Sequence, residues 1–167
     1  AEPGERLTRE KVREFEDRGV VDVLLELDVT GSSEENLTDK SCLNIEDIVA
    51  FADCVDVEDI RPMVGRQVEY NLTIAREGLE GNWGANIGSN LLKSCDNAET
   101  QARAWAAAGS DARMNGCEMP VVIVSGSGNQ GITASVPVWR YGTLMGKDEE
   151  TILRAVTLSD LITIHQK

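Results

Sequence analysis

The sequence predicts an α+β protein that is predominantly α-helical, with a helical core and one or two strands near the N-terminus. Three observations carry that reading. Apolar residues recur at helical three-to-four spacing through most of residues 43–167. Val21, Val23, Leu25, Leu27 and Val29 alternate with Asp22, Glu26 and Asp28, the period of a half-buried strand. Aromatic residues are only 4% of the chain, so the core rests on Leu, Ile, Val and Ala.

Residues 8–17 form a predicted short helix, with Thr8 as N-cap and Val12 and Phe15 on one side. Gly19 ends it, the strand at 21–29 follows, and residues 31–40 are polar and turn-rich. Residues 1–42 thus make an N-terminal helix–strand segment ahead of a helical domain over 43–167. Asn44 caps a helix carrying Ile45, Ile48, Val49 and Ala52. Residues 56–77 read as a longer helix with Pro62 in its first turns, the stripe Ile60, Val64, Val68, Leu72 and Ala75, and Gly78 as its stop. Glycines punctuate residues 81–88 around Trp83, and a helical run through Leu91 and Leu92 follows. Residues 97–108 are alanine-rich and helical, and residues 120–124 are the only other strand-like stretch. The last helix starts at the N-cap Asp148 and is apolar on nearly every side, so it is buried in something.

Two features point to an incomplete unit. One strand cannot satisfy its own edges. The last helix stops in mid-pattern at Lys167. The chain therefore reads as part of a larger polypeptide or as a component needing a partner, a homo-oligomer being one form of that.

A net charge of −13 repels phosphate backbones and anionic lipid, and no Lys/Arg cluster offsets it. Nucleic-acid and membrane partners are therefore not expected. A small anionic substrate remains open, because backbone dipoles act locally. No apolar run reaches the roughly 18 residues of a membrane span. The first residues lack the pattern of a signal peptide, which makes a cytoplasmic location the expectation. Cys42, Cys54, Cys95 and Cys117 have long, irregular gaps, which suit reduced thiols rather than a disulfide framework. The single histidine, His165, is suited to acid–base work in principle. Near a chain end and without a Ser–His–Asp set it reads as inert, and no metal site can be assembled from this chain alone.

The chemistry concentrates in residues 125–131. The apolar run Val121, Val122, Ile123 and Val124 leads into Ser125, Gly126, Ser127, Gly128, Asn129, Gln130 and Gly131, and a helix follows. Glycine lets a ligand approach main-chain N–H groups closely. At a helix N-terminus those groups lack partners and carry partial positive charge, so they bind carboxylate or phosphate without a basic side chain. The same residues satisfy the dinucleotide pattern G-x-G-x-x-G, but that reading requires a second parallel strand where a helix is expected, and Pro137 interrupts the helix it needs. A purely structural glycine turn is the third reading. The run of small polar residues is longer than a turn requires, which favours binding. Just upstream, Asp111 and Arg113 either orient a substrate and brace the loop, or form a surface ion pair where a helix ends before Gly116. Spacing alone favours the second.

Three stretches resemble one family: residues 77–88, residues 110–114, and above all residues 125–134 with Pro137. They are similar to the L-cysteine desulfidase branch of the iron–sulfur L-serine dehydratase alpha-chain family, over roughly residues 43–167. The resemblance implies a lyase that eliminates the β-substituent of a small amino acid. A [4Fe–4S] cluster in the full-length family acts as Lewis acid on the leaving group. A base removes the α-proton, and the product hydrolyses to pyruvate and ammonia, with sulfide released from cysteine. The loop at 125–131 is implied to hold the substrate carboxylate; Asp111 and Arg113 are further, secondary candidates for substrate binding. The family's cluster cysteines lie in an early Gly-Cys-Thr-Glu-Pro stretch and in later segments, and those motifs are absent from this chain. No cluster is therefore expected in this chain, which alone should be inactive. A non-catalytic module binding a small anion and an interaction subunit are the alternatives.

Overall fold

Asn44 opens the first described helix by accepting the Asp47 N–H at 2.9 Å. The computed structural model describes residues 43–95 and 97–166, all within the unit Asp39–Lys167. Helix α1 runs Ile45–Cys54 and buries Ile48 and Ala52. A short helix α2, Val57–Ile60, passes through the π turn Arg61–Gly65 into α3, Arg66–Glu80. Then come α4, Ile87–Ser94, α5, Ala98–Met114, α6, Gly128–Leu144, and α7, Glu149–His165. Asn97 and Asp148 cap α5 and α7 through the N–H groups of Thr100 and Thr151.

Helix α5 is the hub, packed by α3, α4 and α6, while α7 covers α6 and touches α1. Its buried face is Ala104, Ala108 and Ala112. Such small side chains let neighbouring backbones come close. Two apolar clusters fill the bundle. One joins Val64 and Val68 to Ile152, Leu153 and Val156. The other joins Ile74 and Ala75 to Ala112, Ile132 and Val136. Leu72 packs against both.

The described residues contain helices and no strand, which corrects the α+β class to an α-helical one. The predicted helix at 8–17, strand at 21–29 and loop at 31–40 lie outside the described residues. Residues 120–124 are extended, but among the described residues their ladder contact is a single bridge between Val124 and Ser127. A short β-branched run reads as a strand by composition; here it packs across helices instead. Gly78 is likewise not a stop. Helix α3 continues to Glu80, and Gly78 sits inside it against the Ala108 backbone, where a side chain has no room.

Candidate functional site

Helices α5 and α6 run antiparallel. Arg113, at the end of α5, meets Asn129 at the start of α6, and Gln101 meets Arg140 at the other ends. Helix α7 returns beside α6, so its C-terminal half lies at the same end as the loop. That end gathers Arg113, the 125–131 loop, Asn71 of α3 and Asp160 of α7.

The loop begins with a two-residue reversal. Val124 and Ser127 exchange backbone hydrogen bonds of 3.2 and 3.1 Å. Ser125 and Gly126 between them have φ of +50° and +81°. Positive φ at both central residues is the type I′ pattern. Serine holds that conformation at a cost that glycine avoids, the kind of local strain that marks functional loops. Ser127 then caps α6, its Oγ accepting the Gln130 N–H at 3.4 Å and its carbonyl accepting the Gly131 N–H at 3.1 Å. The N–H groups of Gly128 and Asn129 find no acceptor among the described residues. These are the first two helical donors, the ones a helix leaves without partners.

Arg113 lies against them. A Cβ on Gly128 would sit 2.9 Å from Arg113 Cζ and 2.9 Å from Val121 Cγ2. Arg113 Nη1 donates to Asn129 Oδ1 at 3.2 Å. No carboxylate pairs with Arg113 among the described residues. A guanidinium beside a positive helix terminus is unfavourable alone and favourable around a shared anion. Asp111 goes elsewhere. Its Oδ2 accepts the Ile87 N–H at 2.9 Å, capping α4 where Asn86, at φ +53°, supplies no side-chain cap. Asp111 and Arg113 therefore form no ion pair, and only Arg113 reaches the loop.

Two polar side chains that sequence reasoning passed over complete this end. Asn71, fully buried, accepts the Val122 N–H at 3.0 Å and donates to the Val122 carbonyl at 3.2 Å and to Ser135 Oγ at 3.1 Å. It pins the extended segment to the bundle. Asp160 lines a cavity of about 350 Å³ with Ser125, Val124, Thr157 and Gln67. Gln67, itself 3% exposed, donates to Asp160 Oδ1 at 2.9 Å. Burial pushes the Asp160 carboxyl up to about 6 from 3.8, against the Gln67 hydrogen bond, which lowers it.

A raised carboxyl pKa means that the folded protein holds its proton where the unfolded chain has lost it. The resulting stability is complete below the unfolded pKa and is lost as pH rises through the folded one, between about 4 and 6. Asp160→Asn should thus raise stability at pH 7.5 by about 1–2 kcal/mol. The gain should vanish at pH 4. Urea melts at the two pH values measure it, and an equal effect at both would count against a buried charge.

The profile of the serine dehydratase alpha chain matches residues 7–167. The chain belongs to the serine dehydratase alpha chain family. The match begins well before residue 43, so it takes in most of the N-terminal segment as well. A UPF0597 protein of Desulfitobacterium hafniense is 53% identical over 133 residues, covering 79% of this chain and 31% of that protein. One from Lachnoclostridium phytofermentans is 50% identical over 135 residues, covering 80% and 32%. One from Treponema denticola is 44% identical over 137 residues, covering 78% and 32%. These names state no activity. The chain spans about a third of the length of the curated relatives it matches. No solved structure matches it.

The iron–sulfur cluster implied by the family resemblance can be tested against the donor set of this serine dehydratase alpha chain member. Among the described residues no three His, Cys, Asp or Glu side chains converge to hold a metal. Cys54 and Cys95 are exposed at the ends of α1 and α4, and Cys117 is half-buried against the second apolar cluster. Cys42 lies outside the described residues. The described donors do not fit a cluster. The dinucleotide reading also lacks its parallel strands among the described residues.

Proposed function

We propose that this chain is the substrate-carboxylate portion of a lyase that eliminates the β-substituent of L-cysteine or L-serine. The observation that carries the reading is the pair of N–H groups at Gly128 and Asn129, without an acceptor among the described residues, with the Arg113 guanidinium beside them. Family membership supports the reaction class. A carboxylate placed there accepts two backbone hydrogen bonds and a charge-assisted one, and it relieves the repulsion between the guanidinium and the helix terminus. The substrate is then held by its invariant end, with Cα and Cβ directed away from the loop. Ser125 and Gly126, in their tight reversal, shape the rim beside it. The leaving group and whatever activates it fall to residues outside those described.

The full-length protein, assayed anaerobically, should form pyruvate from cysteine with release of sulfide, or from serine. Failure to consume either would overturn the reading. Arg113→Gln should raise KM about 10–100-fold, the loss of one charge-assisted hydrogen bond, with a smaller change in kcat. Arg113→Lys should recover part of it. Gly128→Val displaces the guanidinium instead of removing it, and its KM should rise to a similar extent; an unchanged KM in both Arg113→Gln and Gly128→Val would refute carboxylate binding here.

A further inference from the structure

We propose that Asp160, positioned by Gln67, is the base that takes the substrate α-proton, from a cavity that the glycine loop itself lines. The inference rests on the lyase reading above and deepens it. Four features of the cavity support it. Ser125, the first residue of the loop, and Val124 before it form one wall and Asp160 another, so the carboxylate shares a cavity with the start of the loop. The volume, about 350 Å³, is in the range of small-ligand pockets. Gln67 spends one amide hydrogen on Oδ1, and Oδ2 has no hydrogen-bond partner among the described residues. The groups around it are Phe51 from α1, Met63 and Val64 from the π turn, Ile123 and Val124 from the extended segment, and Thr157 and Leu161 from α7. No lysine, arginine, histidine or second carboxylate lines the cavity among the described residues.

A carboxylate in that position has no cation among the described residues to neutralise it, and it is costly to keep there. Desolvation brings its proton affinity toward the working range of a general base. The π turn carries Met63 and Val64 into the cavity wall, and such turns recur at functional sites.

The step balances. Asp160 Oδ2 takes the proton from Cα, and the electron pair of that bond becomes the Cα=Cβ bond. The Cβ–S or Cβ–O bond breaks, and its pair leaves as hydrosulfide or hydroxide. Asp160 ends protonated, and the organic product is aminoacrylate. Gln67 keeps the carboxyl oriented in both protonation states, because its amide donates to Oδ1 in each.

The test is made in the full-length protein with Asp160→Asn, which preserves the shape and the Gln67 contact. Base catalysis contributes about 10²–10⁴-fold, so kcat should fall at least about 100-fold while KM stays within about threefold. Exchange of the substrate α-proton with D2O, followed by NMR, should be lost in the variant. Wild-type kcat should fall on the acid side with a limb near pH 6. A variant with kcat near wild type overturns the proposal. So does one whose KM rises at unchanged kcat, which would make Asp160 an anchor for the substrate ammonium. The wild-type profile needs no variant: a flat kcat between pH 5 and 7 also overturns it. If the full-length protein turns over cysteine or serine and Arg113→Gln raises KM, but Asp160→Asn stays active, only the assignment of the base falls. If it turns over neither, the lyase reading fails and takes this one with it.

Discussion

Asn71→Ala should lower the unfolding free energy by about 3–5 kcal/mol, with a loss of roughly 10 °C in Tm. Asn71 is fully buried and makes three hydrogen bonds, two to the Val122 backbone and one to Ser135 Oγ. Val122 lies in the extended segment, where no neighbouring strand is present among the described residues to take its N–H and carbonyl. The Asn71 side chain does what a strand partner would do. Removing it strands those backbone groups at the edge of the core and leaves a cavity. Asn71→Asp tests the geometry: it keeps the acceptor for the Val122 N–H but sets a carboxylate against the Val122 carbonyl, so it should be at least as damaging. Urea denaturation measures both. A loss under 1 kcal/mol for Asn71→Ala would show that the segment is held by its apolar contacts instead.

What was legible in the sequence was local. Asn44 and Asp148 cap helices because a short polar side chain beside an apolar repeat can satisfy the first free N–H groups within three residues. The loop stood out for the same reason, since small residues followed by a helix define a donor-rich terminus whatever lies around it. Asn71 and Asp160 were not legible. Each sits on a helix among apolar neighbours, where a polar residue reads as the solvent face. Their partners lie 51 and 93 residues away in sequence. The partner of Asp111 was not legible either: Ile87 is 24 residues upstream, so spacing to Arg113 carried no information about it. The strand-like run at 120–124 was ambiguous in principle. Short β-branched runs are compatible with a sheet or with an extended segment clamped by a side chain, and only tertiary contacts decide.

Gly131→Ala is expected to cost at least about 3 kcal/mol, although helix propensity alone would favour alanine by about 1 kcal/mol. Gly131 lies in the first turn of α6, where the Val122 backbone crosses it. An added Cβ would stand 3.0 Å from the Val122 carbonyl carbon and 3.2 Å from Ile123 Cα, with the Val122 carbonyl oxygen closer still. Gly128 makes a useful contrast: its nearest neighbours are side-chain atoms of Arg113 and Val121, which can move. Substitution there should impair binding and spare the fold, whereas at Gly131 the obstacle is backbone that Asn71 holds in place. That shared contact predicts non-additivity. In Asn71→Ala the Val122 segment is already loosened, so adding Gly131→Ala should cost less than it does in the wild type, with a coupling of about 1–2 kcal/mol. Strict additivity in the double-mutant cycle would mean that the extended segment is fixed by something other than Asn71. The helix terminus and the segment beside it would then be independently built, and Asn71 could be lost without disturbing the donors at Gly128 and Asn129.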